Sequence, residues 1–236
     1  MKETLILIFL FLQFNFAQSQ NFVFTAQADL NSDNIPDKIN LSETDYAYTL
    51  NINGIKITGE FDVEGLNGFK IIDINKNDVF KEIAVHASGP SDDDEYNLYR
   101  FNGKEIYFLN KLKGNPTFNG NGIVYLDFWE GFWMRRDKFV FDKKVKKLKR
   151  VPQFAYYVGV KNISVKNYIS IFADKSMTQK TAVLSKNSKI EILLCDIKTE
   201  EDSNDEIYLI KSKSGLIGWI KSSVLLENCE GFNFAD

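Results

Sequence analysis

Apolar and polar residues alternate through nearly the whole chain beyond residue 20, and turn-forming pairs interrupt them at short intervals. That pattern limits the fold to one class. Tyr46, Tyr48, Leu50 and Ile52 are separated by single residues, Asn53-Gly54 follows, and Ile55 and Ile57 resume the alternation. Side chains that recur every second residue on one face belong to a half-buried strand. Asn-Gly supplies the two positive-φ positions of a type I′ turn, so the segment reads as a β-hairpin. Residues 98–101, Asn102-Gly103 and residues 105–109 read as a second hairpin of the same kind, and residues 123–128 and 138–141 as further strands. No segment beyond residue 20 carries a helical stripe with caps. The expectation is an all-β chain. Twenty Phe and ten Tyr against four Pro agree with it, because aromatic side chains suit pleated, half-buried surfaces.

The first residues read as a targeting segment, not as part of the fold. Lys2 is followed by an apolar run from Leu5 to Phe16, interrupted at Gln13 and Asn15, and then by Ala17-Gln18-Ser19. The run is short for a bilayer span, and the small residues suit a signal peptidase, so residues 1–19 are expected to be a cleaved export signal. The mature chain would then be secreted or periplasmic, with no stable membrane insertion. A net charge of -3 gives no general attraction to nucleic acid. The single His, His86, lies in a strand-like segment and leaves a Ser-His-Asp relay or a His-based metal centre improbable. Cys195 and Cys229 are the only cysteines. In an oxidising compartment they can close a disulfide around most of the C-terminal segment, or remain two separate thiols.

With 236 residues there is room for two small domains. The basic run at residues 143–150 reads as an exposed strand with Val145 and Leu148 turned to the core, and Val151-Pro152 marks the boundary between residues 20–152 and 153–236. Phe128, Trp129, Phe132 and Trp133 cluster around Glu130-Gly131 and are read as core more than as an exposed stacking surface.

Two acidic loops are the most specific local signals. In residues 29–37, side-chain oxygens fall at positions one, three, five and nine (Asp29, Asn31, Asp33, Asp37), and Ile35 can add its backbone carbonyl. An all-oxygen set of this kind suits Ca²⁺; the alternative is an Asx-rich turn that bonds to itself. Asn34 sits where such a loop needs a residue that tolerates the left-handed region. Asn40 stands at the twelfth position and no helix flanks the loop, which disfavours an EF-hand. A second copy begins 44 residues later with Asp73, Asn75 and Asn77, has Lys81 in the ninth place, and needs Glu82 or Asp78 to complete it. Weaker binding is expected there. The loop leading into a short apolar strand resembles the FG-GAP/VCBS-type repeat of integrin-like β-propellers. That resemblance implies Ca²⁺ held by Asp29, Asn31, Asp33 and Asp37, and in the second copy by Asp73, Asn75 and Asn77. Two copies are too few for a closed ring of blades, so a compact two-unit antiparallel domain is expected.

Residues 156–228 carry a second resemblance. The segments 169–176, 182–193, 207–211 and Gly218-Trp219-Ile220-Lys221 follow one another in an order similar to the bacterial SH3-like (SH3b) domain. The resemblance implies a small barrel and a module that binds cell-wall peptides or acts in targeting, with Tyr168, Phe172, Tyr208 and Trp219 as candidate groove residues and Trp219 equally suited to the core. Taken together, the expectation is a non-enzymatic binding protein for cell-wall peptide, glycan or an envelope protein. The alternative is a cell-wall hydrolase that uses a carboxylate pair such as Asp127 with Glu130.

Overall fold

The computed structural model describes residues 21–44, 47–63, 65–90, 93–197 and 206–234. The proposed export signal, Tyr46 and the acidic segment 198–205 lie outside them. Among the described residues the fold is all-β and antiparallel apart from one short helix.

The first twelve strands form three consecutive four-stranded meanders. The first contains β1 (Thr25–Ala28), β2 (Asp37–Thr44), β3 (Ala47–Ile52) and β4 (Ile55–Glu60). The second contains β5 (Leu66–Ile72), β6 (Glu82–Ala87), β7 (Glu95–Phe101) and β8 (Ile106–Lys113). The third contains β9 (Asn115–Phe118), β10 (Ile123–Trp129), β11 (Met134–Asp142) and β12 (Lys147–Arg150). Three units therefore replace the two expected.

The meanders stack face to face. One apolar cluster joins Ile39, Leu41, Leu50 and Ile52 of the first to Phe69, Ile83, Val85 and Phe101 of the second. Another joins Ala84, Leu98 and Leu109 of the second to Val124, Leu126 and Phe139 of the third. The middle sheet is covered on both sides, and this explains β6, every residue of which is buried. A strand with two buried faces loses the polar half of its alternation.

Seven strands make the C-terminal sheet: β13 (Tyr156–Val165), β14 (Ile169–Phe172), β15 (Lys180–Leu184), β16 (Lys189–Asp196), β17 (Ile207–Ser212), β18 (Ile217–Lys221) and β19 (Cys229–Glu230). The order β15-β14-β18-β17-β16-β13-β19 leaves β15 and β19 as edges, so the sheet does not close into a barrel. Helix α1 (Ser222–Asn228) follows β18 directly, where the sequence shows no capped helical stripe, and Leu225 anchors it in the core. The C-terminal core also takes in Phe132 and Trp133 from the turn between β10 and β11. No sheet crosses residue 152, but the packing does.

Local expectations divide the same way. Asn53 and Gly54 have φ of 52° and 91°, as a type I′ turn requires, and Ile52 pairs with Ile55. Asn102-Gly103 instead lies in a four-residue loop, since Phe101 pairs with Ile106. The Asn102 side chain accepts hydrogen bonds from the Lys104 and Glu105 amides, which favours the wider turn. Leu148 is buried as expected, but Val145 lies exposed in the turn before β12.

The Cys195–Cys229 disulfide is not formed: both are free, buried thiols. The topology excludes it. Cys195 on β16 pairs with Tyr156, and Cys229 on β19 pairs with Val165, on opposite flanks of β13. Two strand spacings separate the flanks by about 9–10 Å, before counting the offset along β13. A disulfide needs Cα atoms within about 7 Å. Burial raises the Cys195 pKa and pushes that of Cys229 up to about 11.

Candidate functional site

The acidic loops occupy equivalent places, each joining the first two strands of its meander. Ala28 pairs with Asp37 across the first and Ile72 with Glu82 across the second. The third meander has a loop there too, Asn119-Gly120-Asn121-Gly122, which carries no acid. Phe118 pairs with Val124, so an apolar residue takes the place of Asp37 and Glu82. The three loops bond in series. Lys81 donates its amide to the Leu30 carbonyl (2.9 Å), Ser32 its hydroxyl to the Val79 carbonyl (2.8 Å), and Lys76 its amide to the Gly120 carbonyl (2.9 Å).

In the first loop Asp29 acts as the hub. One carboxylate oxygen accepts the Asn31 and Asp33 amides (3.3 and 3.2 Å) and the other accepts the Asn34 amide (2.9 Å). Burial works to raise the Asp29 pKa, but backbone donors from Asn34, Asn31, Asp33 and Ser32 outweigh it and hold the group below its ordinary value. Asp33 accepts the Ile35 amide at 2.8 Å and the Asn31 side-chain amide at 3.0 Å. Asn34 has a φ of 67°, the left-handed conformation the sequence led us to expect. Asp37 is buried, with its oxygens engaged by the Leu30 amide (3.0 Å) and the Asn53 side chain (2.7 Å). The donor chemistry of Asp29, Asn31 and Asp33 fits a hard divalent cation. Asp37 is built in as the brace that closes the loop, and the Ile35 side chain is exposed.

The second loop uses the same brace with different electrostatics. Glu82 is fully buried, and one oxygen accepts the Ile74 amide at 2.9 Å. The other is bound by the Arg100 guanidinium, whose Nε lies 2.8 Å away, while Nη2 also reaches Asp78 at 3.2 Å. The guanidinium plane lies against Phe80 and Phe141. The two acids available to complete a metal cage are thus held by an internal cation, leaving Asp73, Asn75 and Asn77. Of these, Asp73 has one buried oxygen without a partner. Affinity for Ca²⁺ rises with ligand charge, so this remainder fits a metal less well than the first loop. Arg100 escaped the sequence reading, although an arginine inside the buried strand Asn97-Leu98-Tyr99-Arg100-Phe101 signals a buried acidic partner.

The carboxylates proposed for hydrolysis do not share a cleft. Asp127 is held by Arg136 through two bonds of 2.6 Å and lines one cleft with Tyr125, Met134 and Tyr157. Glu130 is bonded to Arg135 and lines another, of about 450 Å³, with Asp137 and Glu206. Burial raises the Glu130 pKa. Asp137 is fixed by Arg135, Arg150 and the Tyr156 hydroxyl. His86 is buried between Phe22 and Tyr96, 3.1 Å from Asp94, and burial lowers its pKa. It is a packed strand residue, as expected.

The candidate groove residues separate. Tyr208 is buried, accepts the Trp133 indole N–H at 3.3 Å and donates to Glu206 at 2.9 Å, so it is core and leaves the groove set. Within the aromatic cluster, Phe132 and Trp133 are core, whereas Trp129 is at the surface. Phe172 and Trp219 are cross-strand partners, and Tyr168 is exposed before β14. The register extends the pair into a row the sequence could not show: Trp219 pairs with Leu209, Leu209 with Leu194, and Leu194 with Tyr157. The adjacent row, Ile220, Tyr208, Cys195 and Tyr156, is buried. Because neighbouring rows point to opposite faces, Phe172–Trp219–Leu209–Leu194–Tyr157 lies on the outer face of the sheet, and its members are partly or fully exposed. Lys175 lies over Trp219, held by Asp196 at 2.6 Å, and Phe154 covers it.

No protein-family model, curated protein or solved structure matches the chain. Among the described residues, no helix is long and apolar enough to cross a membrane.

Proposed function

We propose that this chain is an exported, secreted or periplasmic, non-enzymatic binding protein for cell-envelope components: cell-wall peptide, glycan or an envelope protein. The observation that carries the reading is the outward row on the C-terminal sheet. Tyr157 is exposed and Phe172, Trp219, Leu209 and Leu194 are half-buried on the outer face of the sheet, and apolar side chains left on a solvent face in this way mark interaction sites. Trp and Tyr suit such a surface because each presents a broad apolar ring with a polar edge. The three stacked meanders resemble propeller blades without a ring, and the C-terminal sheet is read as an open SH3-like unit. Ca²⁺ held by Asp29, Asn31 and Asp33 stiffens the first loop, so the meanders form a braced base for the binding sheet.

The mature chain, immobilised and exposed to purified envelope fractions, is expected to retain wall polymer or an envelope protein. Tyr157→Ala with Phe172→Ala should release it while the melting temperature stays within a few degrees. Retention no greater than on a blank support overturns the reading. Hydrolysis of labelled wall fragments, abolished by Glu130→Gln, would replace it with the enzymatic alternative, for which Glu130 has a raised pKa and Glu206 as cleft neighbour.

A further inference from the structure

We infer that the outer face of the C-terminal sheet is built to dock an acidic polysaccharide, with sugar rings along the Phe172–Trp219–Leu209–Leu194–Tyr157 row and the polymer's anionic groups over Lys211 and Lys213. The inference rests on the proposed binding role of that row and adds the chemistry of its ligand.

Charge supplies the first argument. Lys211 follows Leu209 by two residues on β17 and therefore projects from the same face, about 7 Å along the strand. It pairs across the sheet with Ile217 on one side and Glu191 on the other. Beyond it, a depression of about 350 Å³ is lined by Lys161, Lys189, Lys211 and Lys213, with Glu191 the one acid. Lys161 lies 3.6 Å from that glutamate, and Lys189 bonds Ser164. Lys211 and Lys213 are exposed and make no ion pair or side-chain hydrogen bond among the described residues. In a chain with more acids than bases, this is a local excess of positive charge set beside an apolar strip.

Shape supplies the second. The row crosses four strand spacings, roughly 19 Å, with Tyr157 as its open ring and Lys175 laid over Trp219 as a further cation along it. Tyr157 is 72% exposed, and its ring lies over Gly159, where an added Cβ would come within 2.7 Å of the ring carbons. The glycine lets an exposed ring lie against its own strand as a platform.

The third argument separates a glycan from a peptide. A peptide commonly adds to a sheet through free backbone groups at an edge. The row lies on β14, β18, β17, β16 and β13, whereas the edges of the sheet are β15 and β19. From Phe172 to Leu194 the strands spend their backbone groups on each other, and only Tyr157, on the flank of β13 that the two-residue β19 leaves unpaired, keeps a free side, so recognition along the row falls mainly to side chains. Ring faces and ammonium groups are the side chains present. They match a ligand made of sugar rings carrying carboxylate, sulfate or phosphate.

The test uses the mature chain and defined polymers in a binding titration at moderate salt. Polygalacturonate is the acidic glycan, its fully methyl-esterified form the neutral counterpart, polyglutamate the acidic peptide, and single-stranded DNA the nucleic acid. We expect polygalacturonate to bind. Lys211→Gln with Lys213→Gln should weaken binding at least tenfold, as should Tyr157→Ala alone. Both variants alter exposed side chains, and an unchanged melting temperature confirms that they fold. Equal binding of the esterified polymer overturns the acidic assignment and leaves the binding role standing. Polyglutamate or DNA bound as tightly, with Tyr157→Ala without effect, overturns the glycan assignment in favour of charge alone. Retention of envelope material without binding of polygalacturonate also overturns the inference but not the function; failure of both overturns the two together.

Discussion

Removal of Arg100 tests the electrostatic core of the second loop. The guanidinium is the cation facing Glu82, a carboxylate with no exposed surface, and its loss leaves that charge with one backbone donor, the Ile74 amide. Breaking a buried ion pair by removing one partner costs about 3–5 kcal/mol, because the remaining charge is uncompensated. Arg100→Met keeps much of the side-chain volume against Phe80 and Phe141, so the loss is mainly electrostatic. For a chain of this length, 3–5 kcal/mol lowers the melting temperature by on the order of 10 °C. The pH dependence has a definite sign. Burial already raises the Glu82 pKa, against the pull of Ile74 and Arg100. An acid whose folded pKa lies above its unfolded value loses stability as pH rises from the second value through the first. Removing Arg100 raises the folded value further, so the variant should lie closest to wild type in mild acid and fall away as pH rises towards neutrality. Glu82→Gln added to Arg100→Met removes the orphaned charge and keeps an oxygen for the Ile74 amide, and it should recover more than half the loss at pH 7. The assay is urea unfolding of the four proteins of the cycle at pH 5 and pH 7.5. A loss below about 1 kcal/mol with no pH dependence, or a double variant no better than the single, refutes the reasoning.

Calcium added to the chelator-treated mature chain should raise its melting temperature. Saturation at a hundredfold excess over Kd is worth about 2.7 kcal/mol. Asp29→Ala should abolish the shift and Asn77→Ala leave most of it, and an unchanged melting curve for wild type shows a metal-free Asx loop. Trp133→Ala empties a site between the third meander and the C-terminal sheet and removes the indole donor to the Tyr208 hydroxyl, which keeps its bond to Glu206, with an expected cost of about 3–5 kcal/mol by chemical denaturation. Both cysteines should react with a thiol reagent only after unfolding, and reductant should leave the melting temperature unchanged; a thiol count below two in denaturant contradicts the sheet topology.

The chain's class and much of its local geometry are legible in the sequence, because both depend on neighbours a few residues apart. Side chains two residues apart share a face, so alternation reports strands. Asn53-Gly54 tolerates positive φ, so it reports a turn. Asp29 and Asp33 lie close enough to bond the loop that contains them, so the first loop reports itself. The rest depends on which surfaces meet. The third meander was hidden because its loop kept Asn119 and Asn121 but lost the carboxylates, and strand pairing alone reveals the equivalence. Arg100 and Glu82 lie on neighbouring strands, 18 residues apart, and become partners through register. Tyr208 and Leu209 are adjacent apolar residues in β17, and the sequence does not say which of them faces the core. Pairing with β16 and β18 sends Tyr208 inward to Trp133 and Leu209 outward into the exposed row. The same pairing places Cys195 and Cys229 on opposite flanks of β13. Local covalent and steric preferences act along the chain, whereas burial of apolar surface acts between elements far apart in it; the candidate binding face is a product of the second.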